Sequence, residues 1–151
     1  MSMKTKKDDR ISAFFYAQHG KIGEDTTERM KFMDIEYNGQ RRALIVRLDA
    51  EVDHHSAAQI RESVDAQFLR TKANHIIFDF SSLQFMDSSG IGLIMGRYRL
   101  IRPLDGKIVL AGVSEQLDRL MSLSGIYKLV EWAKNVEEAL VRVQGGNGYE
   151  K

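Results

Sequence analysis

The sequence predicts an α/β fold built on a mainly parallel sheet with an antiparallel edge, and three observations carry that prediction. Short apolar runs recur at Ile76-Ile77-Phe78 and Ile108-Val109-Leu110-Ala111. They lack the alternation of a sheet with one wet face, which marks strands covered on both sides. Stretches of helical period separate them, as in successive βαβ units. Ahead of these lies a different signal. Met33, Ile35 and Tyr37 alternate with Asp34 and Glu36, then come Asn38-Gly39 and an apolar run from Ala43 to Leu48 broken only by Arg47. Period two followed by Asn-Gly reads as a strand entering a hairpin, so these two segments pair antiparallel.

The remaining elements follow in order. Ser56 to Leu69 reads as a helix with Ala57, Ile60, Val64 and Phe68 on one face and Ser56 as its N-cap. His75 to Phe80 is a strand. Ser88 to Arg102 is a second helix with Ile91, Ile94, Met95, Tyr98 and Ile101 in one stripe, stopped by Pro103 and turned by Asp105-Gly106. After the strand Ile108–Ala111, Ser114 to Ser122 is a short helix that places Leu117, Leu120 and Met121 inward. Leu129 to Trp132 is a short strand and Val136 to Val143 the last helix. Right-handed crossovers put the helices over the sheet.

Residues 1–30 differ from the rest: they are polar, contain Gly20 and Gly23, and show no sustained period. They read as an N-terminal extension, flexible or non-native in origin, in preference to a partner-binding arm around Phe14, Phe15 and Tyr16. The domain proper is placed at 31–144 and a flexible tail at 145–151. Removing residues 1–29 is expected to leave folding and partner binding nearly unchanged.

Composition narrows the function. The 151 residues carry a formal charge of +1, without the cation surplus that displaces counterions from a nucleic acid. There is no cysteine, hence no disulfide framework and no thiolate nucleophile or metal ligand. No apolar run approaches the roughly 20 residues that span a bilayer. The chain is read as cytoplasmic, with no direct nucleic-acid or membrane partner.

Two loops hold the residues that could carry chemistry. In Phe85-Met86-Asp87-Ser88-Ser89-Gly90-Ile91-Gly92, three capping residues stand between a strand and a helix, and one of them is the N-cap. Two glycines in a first helical turn each cost about 1 kcal/mol relative to alanine. Gly92 and Gly96 therefore read either as close packing of the helix on its own sheet or as a surface left bare for a partner. A serine at a helix N-terminus also suits a phosphate, because free N–H groups and the dipole favour negative charge. The second loop is Asp49-Ala50-Glu51-Val52-Asp53-His54-His55-Ser56. In a parallel sheet both loops fall at the same edge, where α/β proteins place function. Serine, histidine and carboxylate together invite a hydrolase reading, but no G-x-S-x-G elbow is present. His54-His55 lack the i, i+4 spacing of helical metal ligands, and no P-loop lysine stands by Ser89. Neither an enzyme nor a cofactor is expected. Arg97, Tyr98 and Arg99 read as a solvated helix face.

These motifs resemble those of the STAS-domain anti-sigma factor antagonists, most closely the sporulation branch that acts on an anti-sigma F factor. The resemblance rests on Glu51-Val52-Asp53-His54-His55, on the run from Phe85 to Gly92, on Gly96-Arg97-Tyr98 and on Ser122-Leu123-Ser124-Gly125-Ile126. It implies a mixed sheet of four to five strands with about four helices mostly on one side. It also implies a partner switch. The unphosphorylated antagonist binds a histidine-kinase-like (GHKL) anti-sigma factor and makes it release its sigma factor. That partner, a serine kinase, then phosphorylates the second serine of the motif, here Ser89, and a phosphatase reverses this. The resemblance places the partner surface at Asp53, His54, His55, Asp87, Ser88, Ser89, Gly90, Ile91 and Gly92. Other readings within the family are an antagonist of another stress-response pathway and a module that binds a nucleotide or small ligand. One departure is Ala50, where the family usually has glycine.

Overall fold

The structure, a computed structural model, describes residues 28–30 and 32–145. The extension up to residue 27 and the tail from 146 lie outside the described residues. The chain runs β1 (Glu28–Met30), β2 (Met33–Asn38), β3 (Ala43–Val52), α1 (His54–Arg70), β4 (His75–Met86), α2 (Ser88–Ile101), a 3-10 turn (Arg102–Leu104) and β5 (Ile108–Ala111). It continues through α3 (Glu115–Ser124), a second 3-10 turn (Ile126–Lys128), β6 (Glu131–Ala133) and α4 (Val136–Gly145). Among the described residues six strands form one sheet in sequence order. β1, β2 and β3 are antiparallel and β3 to β6 parallel.

This is the mixed α/β sheet expected, with one strand more. The addition is β1, whose three residues pair with β2 from Glu28↔Ile35 to Met30↔Met33. A strand so short carries no readable period, and it falls where the sequence shows only an extension.

Residue parity sorts the strands onto two faces. Leu44, Val46 and Leu48 of β3, Ile76, Phe78 and Phe80 of β4, and Ile108 and Leu110 of β5 face a large core. That core is closed by Ile60, Val64 and Phe68 of α1, Leu93 and Ile94 of α2, and Leu117 and Met121 of α3. The opposite residues Ala43, Ile45, Ile77, Val109, Ala111 and Ala133 form a thinner core, covered by Ala139 and Val143 of α4. Among the described residues three helices thus lie on one face and one on the other.

Several local readings need correction. Asn38-Gly39 does not make a two-residue turn: Asn38 pairs with Ala43, leaving four loop residues. The left-handed position is Arg42, with φ 56°, and Asn38 Oδ1 accepts the Arg41 N–H at 2.9 Å. The asparagine acts here through its side chain, which accepts a backbone N–H three residues on. The cap of α1 is Asp53, with Ser56 at N3. β4 continues past Phe80 to Met86, because Ser81, Ser82 and Gln84 mask a stretch that still pairs with β3. At its start, His75 Nδ1 accepts the Lys107 N–H at 3.0 Å and ties β4 to the entry of β5. Burial, with Lys107 and Arg42 nearby, holds the His75 pKa below the usual imidazole value, so the ring stays a neutral acceptor.

Candidate functional site

β3 and β4 are parallel neighbours whose last residues, Val52 and Met86, pair. The Asp87 N–H donates to the Val52 carbonyl at 3.1 Å, locking the two strand ends together. Each strand passes directly into a helix through an aspartate. Asp53 Oδ1 accepts the Ser56 N–H at 2.9 Å, and Ser56 Oγ accepts the Asp53 N–H at 3.0 Å, a reciprocal cap. Asp87 Oδ1 accepts the Ser89 N–H at 2.8 Å. Asp53-His54-His55 and Asp87-Ser88-Ser89 therefore open side by side, as the parallel sheet requires. Hydrogen bonding from the Ser56 N–H, joined by the Ser56 hydroxyl and by His55, holds the Asp53 carboxyl below its ordinary pKa.

The predicted surface residues divide by burial. Asp53, His54, His55, Ser88 and Gly92 are exposed, and Asp87 and Ser89 are half-buried. Gly90 and Ile91 are buried. Ile91 belongs to the main core, and a Cβ on Gly90 would run into the Met86 side chain. These two residues shape the helix start from within. Gly92 and Gly96 resolve the alternative left open above. A Cβ at either would meet nothing within 4 Å, so neither is required by packing on the sheet, and both leave helix surface bare. Phe85, just before the serine loop, is 45% exposed.

The bare strip is one wall of a groove between α1 and α2 of about 480 Å³. His54, Arg61, Ser89, Gly92, Gly96 and Arg97 line it, with Ala57, Ala58 and Leu93. Ser89 is in this lining and Ser88 is not. Among the described residues Ser89 Oγ has neither a base nor any other hydrogen-bond partner.

Arg97 does not lie on a solvated face as the sequence suggested. It is 8% exposed, and its Nε lies 2.9 Å from Asp65 Oδ1 of α1. Burial pushes the Asp65 carboxyl above its usual pKa even against the pull of Arg97, and pushes Arg97 below its own. Desolvation outweighs the attraction in both. Arg97 Nη1 is buried without a hydrogen-bond partner among the described residues. Arg61 was also missed. The one signal available was its place one turn before Asp65 on α1, and nothing local joins either residue to Arg97.

Among the described residues no three His, Asp or Glu side chains gather as metal ligands, and no helix is long and apolar enough to cross a membrane.

A family model for the STAS domain matches residues 34–139. The chain belongs to the STAS domain family. An anti-sigma F factor antagonist of Paenibacillus polymyxa is 38% identical over 112 residues, covering 74% of this STAS chain and 96% of that one. The anti-sigma factor antagonist SpoIIAA in its unphosphorylated form superposes with a TM-score of 0.65 at 34% identity, over 75% of this chain and 96% of the other. The phosphorylated form of the Bacillus cell fate determinant SpoIIAA gives a TM-score of 0.58 at 33% identity, over 74% and 98%. The STAS match ends inside α4 and begins in β2, so β1 lies outside it.

Proposed function

We propose that this STAS domain is an anti-sigma factor antagonist of the partner-switching kind, acting in the cytoplasm. Unphosphorylated, it binds an anti-sigma factor that is also a serine kinase, and the sigma factor is released. The kinase then phosphorylates Ser89 and the complex ends; a phosphatase restores the free hydroxyl. The observation that carries this reading is the placement of Ser89. It stands half-exposed in the first turn of α2, beside the Asp53 loop and, among the described residues, with no hydrogen-bonded base. Such a hydroxyl suits being a substrate and not a catalyst. The relatives described as anti-sigma factor antagonists support the same reading, and the pair of SpoIIAA forms adds a relative that exists with and without phosphate. Exposed Phe85 supplies an apolar anchor at the rim of the surface.

The test is to incubate the chain with an anti-sigma serine kinase from the same genome and ATP, then map the product by mass spectrometry. The phosphate is expected on Ser89, with none on Ser88 and none in Ser89→Ala. A phosphate mapped to Ser88, or no complex with any anti-sigma factor, would overturn the reading.

A further inference from the structure

We propose that the groove between α1 and α2 is a receptor for the chain's own modification: a phosphate on Ser89 turns into the groove and pairs with Arg61. The inference rests on Ser89 being the modified residue.

The charges of the groove favour an anion. Its lining holds the guanidinium groups of Arg61 and Arg97 and the imidazole of His54, and no carboxylate among the described residues. Arg61 is exposed and makes no ion pair or hydrogen bond among the described residues. Its charged neighbours are Asp65, which it attracts, and Arg97, which it opposes. Arg97 is the independent sign. Its side chain is 9% exposed, with Nε 2.9 Å from Asp65 Oδ1, and both Nε and Nη1 are buried without a hydrogen-bond partner among the described residues. A buried guanidinium with an unmet donor is the kind of group an incoming oxyanion satisfies.

Two donors of the helix start are already taken. The Ser89 N–H is already bonded to Asp87 Oδ1 at 2.8 Å, and the Gly90 N–H to the Asp87 carbonyl at 2.9 Å. The Asp87 carboxylate, fixed in that cap, repels a phosphate on the next residue but one. The remaining direction is across the bare surface of Gly92 and Gly96, where a Cβ would find nothing within 4 Å. The phosphate would then meet its donors on α1 and fill the groove a partner would otherwise use. An aspartate at position 89 is too short to make the same bridge, so it imitates the charge and not the plug.

The test installs phosphoserine at position 89 by genetic encoding, so no kinase is needed, and follows the phosphate by ³¹P NMR as pH is varied. The charged groups facing it are His54, Arg61 and Asp65 on α1, and Asp87 and Arg97 on α2. The measurement is repeated in His54→Gln, which removes the imidazole from the groove lining. The wild-type phosphate is expected to show a second pKa below its ordinary value of about 6. Arg61→Gln should raise it by on the order of half a unit, and Arg61→Lys should restore part of the shift. Arg119→Gln, on α3 outside the groove, should leave it unchanged. Identical titrations for wild type and Arg61→Gln, or an equal effect of Arg119→Gln, would overturn the inference. Those results leave the kinase reading standing, and a kinase that ignores Ser89 leaves this titration standing.

Discussion

Ala50 shows how one backbone angle carries meaning that a side chain does not. It sits in β3 between two register shifts against β4, with φ 62°. The left-handed region brings Cβ against the following carbonyl, a cost of roughly 1–2 kcal/mol that glycine avoids. The family resemblance places glycine at this position, and the angle supplies the reason. Ala50→Gly should therefore stabilise the domain by about 0.5–1 kcal/mol, after allowance for the freer unfolded chain. It should appear as a higher urea midpoint with an unchanged m-value. A lower midpoint would mean that the bulge depends on the methyl group. Elsewhere at this scale legibility was uneven. Asp87 as a cap could be read from its type and place. Asp53 was displaced by Ser56 because the two cap each other, and either residue type satisfies the rule. Arg97 was unreadable: its burial is decided by Asp65 on another helix.

The elements that meet at the site are α1 and α2, and their clearest joint is the Asp65–Arg97 pair. The pKa directions of both partners say that burial costs them more than their attraction returns. Such a pair is costly to break and of little value compared with an apolar replacement. Asp65 keeps 35% of its side chain in water, so breaking the pair falls below the usual range for buried pairs. Arg97→Ala should cost roughly 2 kcal/mol in urea unfolding, and Asp65→Ala with Arg97→Met should recover most of it. A double variant no more stable than Arg97→Ala would show that the ion pair contributes net stability. Element existence and order were legible because α1, α2 and the central strands each repeat a strong period. What failed was local. β1 is too short to show a period, the polar end of β4 hides a strand that pairing alone defines, and the turn after Asn38 takes its form from a side-chain hydrogen bond.

The whole molecule places two helix starts on neighbouring parallel strands, and this decides how a phosphate can act. Ser89 lies at the surface end of a helix whose later residues Ile94 and Ile101 are anchored in the main core. A phosphate there gains roughly 0.3–1 kcal/mol from the dipole, with repulsion from Asp87 taking some back. Neither approaches the 5–15 kcal/mol or so that holds a domain together. At a docked surface the scale changes, because like charges brought together cost several kcal/mol and about 1.4 kcal/mol is tenfold in affinity. The switch should thus work by charge and bulk at the interface, leaving the sheet as it is. Ser89→Asp should melt as wild type does and bind the anti-sigma factor at least tenfold more weakly. Ser89→Ala should bind and resist inactivation. Amide NMR shifts on phosphorylation should cluster at Asp87 to Leu93, the Asp53 loop and the α1 wall near Arg61. Shifts spread through β5, β6 and α4, or a collapse of the melting temperature, would show that the phosphate refolds the domain.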